Sequence, residues 1–370
     1  MPLKRVEFAF RRLILGLLRK LGRSPNPLPS SFDVNTAKLL FVRVDRIGDV
    51  LVSTPLFEIL KKHYPNAILD VLLSRNNHFV LDHHPLIRRR WIYRKRLFSS
   101  LKLLFQLRRE HYDFVIDLMD NPSTTATVIC LIAGARWSVG LDKANAYAYD
   151  LTVPLLSRRD IHIVERLAEL LRIFRIDPSQ EEKKVRYFVS ERSAARATHL
   201  FEKLGLGGKP VLAINISAGH DTRFWGIERF RKLVAMIVKT YPEFDILILS
   251  KPSDHQRAKD IGQGDPPVRF APILESFDEF AAVIQRSKLL ITPDTSAVHL
   301  AAAFGIPSVV LYVQSDKNLR IWDPYGSPTE ALVADVDDLS VISPESVLEA
   351  MKRLLTRTHP IPSSAFSPTQ

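Results

Sequence analysis

Cysteine is almost missing from this chain: its 370 residues include one, Cys130. No intrachain disulfide can form, which fits a reducing compartment. Cys130 lies in the apolar stretch 127–133 and reads as a buried core thiol. Also missing is any run of ~18 uninterrupted apolar residues, the length a membrane-spanning helix needs. Near the N-terminus, Arg19, Lys20 and Arg23 interrupt a short apolar run before any small-residue cleavage site, which argues against a signal peptide. There is no G-x-G-x-x-G fingerprint, no Walker A lysine loop and no G-x-S-x-G elbow. His83, His84 and His220 have no partners at metal-ligand spacing, so neither a metal site nor a cofactor is expected.

The material that is present is globular, with 46% hydrophobic and 25% charged residues. The length suits two domains. A net charge of +12 attracts polyanions: nucleic acid, anionic lipid or phosphorylated substrates. Residues 2–21 fit an amphipathic helix. Leu3, Val6, Phe10, Leu13, Ile14, Leu17, Leu18 and Leu21 fall on one side, and Arg5, Arg12, Arg19 and Arg23 on the other. That pattern suits a helix lying in a membrane interface, or one packed on its own protein. The Pro- and Ser-rich residues 24–31 then read as a linker. A second basic stretch, residues 88–109, contains Arg88, Arg89, Arg90, Arg94, Lys95, Arg96, Lys102, Arg108 and Arg109. It reads either as a solvated face or as a surface for an acidic, membrane-bound substrate. With no nucleic-acid-binding signature beside it, no nucleic-acid partner is expected.

Short apolar runs alternate with helical patterns. Expected strands are 38–44, 68–73, 114–118 and 138–141, then 211–216, 246–250, 289–292, 308–313 and 332–334. Helical stretches fall at 55–64, 163–174, 193–204, 227–241 and 297–304, and a last helix opens at Ser343-Pro344-Glu345 and ends near Leu355. Such alternation predicts an α/β fold with parallel sheets covered by helices, and the pattern occurs twice. The expected parts are a basic helix and linker (1–35), an N-terminal Rossmann-like domain (36–182), a C-terminal one (183–355) and a mobile tail (356–370). Two doubly wound halves facing a central cleft would direct strand ends and helix starts into it.

Three segments carry candidate chemistry. In Arg43-Val44-Asp45-Arg46-Ile47-Gly48-Asp49, a strand runs into a glycine turn and Asp49 stands at the next helix start. There it is either a cap or a base that takes a hydroxyl proton. In Pro293-Asp294-Thr295-Ser296-Ala297-Val298-His299, exposed N–H groups and two hydroxyls could hold a diphosphate. His299 is either a ligand contact or a core histidine. The loop Ser217-Ala218-Gly219-His220-Asp221-Thr222-Arg223 ends in a cation that either neutralises a leaving phosphate or sits in a surface ion pair.

Together these segments resemble the ADP-heptose:lipopolysaccharide heptosyltransferase family, glycosyltransferase family nine. Further matching pieces are Ser53-Thr54-Pro55, Tyr112-Asp113-Phe114-Val115-Ile116-Asp117-Leu118, Ala133-Gly134-Ala135 and Arg223-Phe224-Trp225 with Glu228-Arg229-Phe230. The resemblance spans about residues 38–355 and implies a GT-B fold, with the acceptor on the first domain and the nucleotide sugar on the second. It implies an inverting, metal-independent sugar transfer with Asp49 as general base and Arg223 offsetting charge on the departing nucleotide. It places Asp294, Thr295 and Ser296 at the donor, where Ala297, His299, Ser217 and Thr222 are expected beside them; Gly48 and Arg46 and, from the basic stretch, Arg88, Arg89 and Arg90 are expected at the acceptor. The implied partners are ADP-heptose, an anionic lipid-linked saccharide and the inner, cytoplasmic face of a membrane. Ser296 and Ala297 stand where the family often has glycine, so a different nucleotide sugar remains an alternative. So does a non-catalytic polyanion-binding protein on the same scaffold.

Overall fold

A computed structural model describes residues 16, 18–220, 223–314 and 321–358. The chain divides into two compact units, Met1–Phe188 and Val189–Gln370. The first is built on six parallel strands: β1 (Lys38–Arg43), β2 (Ile68–Ser74), β3 (Arg89–Tyr93), β4 (Phe114–Asp117), β5 (Trp137–Leu141) and β6 (Leu151–Val153). Their order is β3-β2-β1-β4-β5-β6. The second unit repeats the plan with β7 (Val211–Asn215), β8 (Asp245–Leu249), β9 (Arg269–Phe270), β10 (Leu289–Pro293), β11 (Ser308–Val313) and β12 (Thr329–Ala334). Its order, β12-β11-β10-β7-β8-β9, is the same sequence of crossovers read from the other edge. Each sheet therefore reverses direction once, between β1 and β4 and between β7 and β10, giving the doubly wound Rossmann arrangement with one switch point per unit.

Central strands are apolar without alternation because helices cover both faces. In β1, Leu40 and Val42 join a cluster with Leu103 and Leu107 of the helix Leu97–Arg109 and with Ile129 of the helix Thr124–Ile132. On the alternate positions, Phe41 meets Phe57 of the helix Thr54–His63 edge-on, with ring centroids 5.0 Å apart. Burying each such ring contributes about 1.5–3 kcal/mol. Trp225 is the equivalent anchor in the second unit. It is fully buried, packs edge-on to Phe230 and donates its indole N–H to Ile342 O at 2.9 Å.

The division falls after Phe188 rather than near residue 182 because the intervening segment is bonded to the first unit. Arg186 N–H donates to Thr54 Oγ1 at 2.8 Å, Lys183 lies 3.2 Å from Glu165, and the Phe188 ring is 4.9 Å from that of His84. The last helix spans Pro344–Thr358 and so passes the expected end near Leu355. Its final turn is tied to β12: Arg357 donates to Thr329 O at 2.8 Å and pairs with Glu330 at 3.2 Å. The rest of the expected tail, and residues 1–15 and 17 of the expected N-terminal helix, lie outside the described residues. Arg23, just beyond that helix, is bound to the first unit through Asp150 at 2.7 Å.

Candidate active site

The first switch point is occupied by charge. β1 ends at Arg43, a fully buried arginine whose Nε donates to Asp49 O at 2.8 Å and whose Nη1 donates to Leu118 O after β4. The same guanidinium lies 3.5 Å from Asp49 Oδ1 and 3.4 Å from Asp45 Oδ2. One side chain thus holds the loops after β1 and β4 together and faces two carboxylates. Asp49 is the third residue of the helix Ile47–Leu51 and accepts the Arg46 N–H at Oδ2, 3.0 Å. The carboxylate therefore caps its helix, as the simpler sequence reading had it. The carboxylate is nevertheless not sealed away, its side chain being 10% exposed. Gly48 lies in the same turn, and Arg46 is exposed beside it.

Asp45 behaves differently. Burial pushes its carboxyl up to about 7, Arg43 opposes that rise, and the negative charges of Asp49 and Asp117 add to it. Its Oδ1 is buried with no hydrogen-bond partner among the described residues. Asp117, at the end of β4, is held by Lys143 at 3.0 Å and by the Tyr149 hydroxyl at 2.5 Å. Burial and the Asp117 charge drive the Tyr149 phenol far above its ordinary range.

The structure does not bring Arg88, Arg89 and Arg90 to Asp49. They sit at the start of β3, level with the beginning of β1, whereas Asp49 follows the end of β1. At ~3.3 Å per residue the register puts Arg89 about 10 Å and Arg90 about 7 Å short of the end of β1. All three are already paired: Arg88 with fully buried Asp70 and with Glu110, Arg89 with Glu110, and Arg90 with Asp82. The cations at the Asp49 end are others. Arg75 follows β2 and Arg94, Lys95 and Arg96 follow β3; all four are exposed and carry no ion pair among the described residues. Desolvation lowers the His78 pKa, and the positive charges of Arg90, Arg75 and Arg94 lower it further.

The second switch point is polar and tightly cross-linked. Asn215, the last residue of β7, donates its amide to Thr292 Oγ1 at 2.9 Å, to Ser217 O at 3.2 Å and to Thr295 Oγ1 at 3.4 Å. Ser217 Oγ accepts the Lys251 N–H at 2.8 Å, which joins the loop after β8 to the one after β7. Thr295 caps the helix Ser296–Phe304 by accepting the Ala297 N–H at 3.3 Å. Asp294 precedes it, exposed, with its N–H donated to Leu311 O at 2.9 Å. Burial and the charges of Asp294 and Asp323 push the Tyr312 phenol well up. Ser296 is half-buried at the helix start, where N–H groups and the helix dipole favour an anion.

Ala297 and His299 are buried, and the His299 ring lies 6.4 Å from that of Trp322. Arg223 is partly exposed and 3.7 Å from exposed Asp337, a contact of the weak surface kind. Gly226, at φ 108°, lets the chain turn from the Arg223 loop into the helix Ile227–Thr240. Thr222 lies outside the described residues. An open pocket of about 460 Å³ at the carboxyl ends of β7 and β8 is lined by Gly219, His220, Lys251, Ser253, Asp254, Gln256 and Arg257. Among the described residues no three His, Cys, Asp or Glu side chains are grouped to share a metal ion.

In the sequence Arg43 reads only as a cation that keeps the neighbouring carboxylates ionised and Asp45 only as a cap or turn residue, while Asn215, Lys251 and Arg257 carry no site reading. A charged or amide residue closing an otherwise apolar strand was the available signal, because such a group buried at a strand end needs partners from the neighbouring loops.

The sequence pattern of glycosyltransferase family 9 (heptosyltransferase) matches residues 100–346. Lipopolysaccharide heptosyltransferase 3 of Escherichia coli is 26% identical over 337 residues, covering 83% of this chain and 96% of its own length. Lipopolysaccharide heptosyltransferase 1 of Escherichia coli strain K12 is 24% identical, covering 86% of this chain and all of its own. Among solved structures, a family 9 glycosyl transferase from Veillonella parvula superposes with a TM-score of 0.76 at 20% identity, over 88% of this chain and 99% of that one. An Escherichia coli heptosyltransferase solved with ADP gives 0.69 at 18% identity, over 88% of this chain and all of that one.

Proposed function

This chain belongs to glycosyltransferase family 9, and from that premise we propose that it transfers a heptose from ADP-heptose onto an anionic, lipid-linked saccharide of the lipopolysaccharide type, with inversion and without a metal. The observation that carries the reading is Asp49, a carboxylate held at the switch point of the first sheet by the Arg46 N–H and by Arg43. An acceptor hydroxyl gives its proton to Asp49 as its oxygen attacks the anomeric carbon. The bond from that carbon to the diphosphate breaks on the opposite face, and the electron pair leaves with the nucleotide. Arg223 exchanges its weak contact with Asp337 for the departing phosphate, a role a fixed cation performs by electrostatics alone. The helix start at Ser296, with Thr295, holds the diphosphate, and Asp294 takes sugar hydroxyls. In this reading the first unit is the acceptor domain and the second the donor domain.

The donor reading is supported by relatives: Escherichia coli heptosyltransferases have been solved with ADP and with ADP-2-deoxy-2-fluoro heptose. Among the described residues no helix is long and apolar enough to cross a membrane. We place the enzyme at the cytoplasmic face, where its positive charge would meet anionic lipid.

Two measurements test this. Asp49→Asn should lower turnover by ~10²-fold or more while the donor still binds; near-normal turnover rules Asp49 out as the base. In a melting panel of ADP, UDP, GDP, CDP and TDP, with and without magnesium, ADP near 100 times its dissociation constant should add about 2.7 kcal/mol with no need of magnesium. A response to another nucleotide keeps the chemistry and changes the donor. Polyanion binding that falls steeply with salt and is indifferent to Asp49 and Asp294 would favour the non-catalytic alternative.

A further inference from the structure

The helix Leu97–Arg109 buries only one side. Leu103 and Leu107 enter the core of the first unit, whereas Phe98, Leu101 and Phe105 are 85%, 55% and 56% exposed. At 100° per residue these three fall within a stripe of about 60° opposite Leu103 and Leu107. No other element of the described residues exposes three large apolar side chains, and no others expose phenylalanine. Single exposed apolar residues need no explanation, but two phenylalanines and a leucine in one stripe do.

Cations frame the stripe. Arg94, Lys95 and Arg96 lead into the helix, Lys102 stands beside the stripe, and the Arg109 guanidinium lies over the Phe105 ring at 4.2 Å. None of the first four has an ion pair among the described residues. The position within the unit also matters. β3 is the edge strand, two strands from β1, and the helix begins beyond the end of β3. Phe98 thus lies toward the same end of the sheet as Asp49.

We propose that the stripe Phe98, Leu101 and Phe105, with its frame of Arg94, Lys95, Arg96, Lys102 and Arg109, inserts into the surface of an anionic lipid bilayer and holds the first unit there with its Asp49 end toward the lipid. This deepens the reading of a lipid-linked acceptor and rests on it. Charge selects the occupant. A second copy would bring the same cations against themselves. The chain's own N-terminal residues 1–23 carry seven Lys and Arg against one Glu, so they too are repelled by the frame. Anionic lipid complements both the apolar stripe and the charge, each Lys or Arg near such a surface adding roughly fivefold to partitioning.

The test uses the buried position of the sole cysteine. Cys130 is fully buried, so in the full-length Leu101→Cys variant an environment-sensitive thiol dye attaches at position 101. Vesicles of phosphatidylglycerol and phosphatidylcholine in equal parts should raise and blue-shift its emission, vesicles of phosphatidylcholine alone much less, and added salt should weaken the response. Phe98→Gln/Leu101→Gln/Phe105→Gln should lower sedimentation with the anionic vesicles by at least about tenfold. Its melting temperature and its turnover on a delipidated acceptor should be unchanged. A dye that stays silent while the chain sediments with vesicles means another surface docks, and the proposal fails. A dye already shielded without lipid also overturns it, in favour of a second copy if the shielding depends on concentration and of the N-terminal segment if it does not. The vesicles carry no saccharide, so this result and the outcome for sugar transfer are read separately.

Discussion

Asp45 makes the most quantitative claim in the first unit. Its carboxyl rises from 3.8 to about 7 because burial outweighs the attraction of Arg43, with Asp49 and Asp117 adding to the rise. The sign follows from proton counting. Above pH 7 the group is ionised in both native and unfolded states and contributes no slope. Between the two values the native state binds the extra proton, so stability falls as pH rises, by about 1.36 kcal/mol per pH unit for this one group. Raising the pH from 5 to 8 should therefore cost about 2.5 kcal/mol through Asp45 alone. Asp45→Asn removes the titration and keeps the shape. The variant should match the parent near pH 5 and be the more stable near pH 8. In a unit of this size the gap corresponds to roughly 5–10 °C in melting temperature. Calorimetry on both proteins across that range is the assay, and the difference between them cancels histidines and other shared groups. A gap that stays constant from pH 5 to 8 would show that Asp45 does not titrate there, and the account of burial against Arg43 would fall.

Other outcomes follow from single contacts. Gly140→Ala would set a methyl 2.4 Å from the Tyr149 ring, so overpacking should destabilise by about 1–3 kcal/mol, read by urea titration. Arg88→Ala leaves the fully buried Asp70 carboxylate without its cation. It should cost about 3 kcal/mol of stability while turnover per folded molecule stays normal, which separates a structural arginine from an acceptor contact. Native Cys130, buried and with its thiol pushed well up by desolvation, should ignore a thiol reagent that reacts at once in urea. Fast labelling of native protein would contradict its burial.

The sequence was most legible where strands are central. β1, β2, β4, β5, β7, β8, β10 and β11 are expected within a residue or two, because burial on both faces writes a continuous apolar run. The strands not anticipated are β3, β6 and β9, and all three are sheet edges. Edge strands are short and half solvated, so they lack that run. β3 is the instructive case. Its residues Arg89-Arg90-Trp91-Ile92-Tyr93 read as part of a basic stretch, and the charge conceals a strand whose arginines are paired with Asp82 and Glu110 from elsewhere in the chain. Those partners are distant in sequence and leave no local pattern. The same limit applies at the two switch points. Asp49, Asp294 and Thr295 could be singled out because each follows a recognisable strand. Arg43 reads in the sequence only as a cation beside the carboxylates and Asn215 only as part of a loop, because their importance lies in bonds across to loops many residues away.

Asn215 also bears on how fast the proposed donor would be captured. Its single amide group holds the ends of two strands and the first turn of a helix in one arrangement. A loop bonded in this way has already lost its freedom in the empty protein. The diphosphate proposed to bind there would encounter a finished mould and spend little of its binding energy on ordering it. Residence time should then be set by the contacts themselves, and mutation of Asn215 should slow capture as well as weaken it, since the mould would have to be re-formed at each encounter.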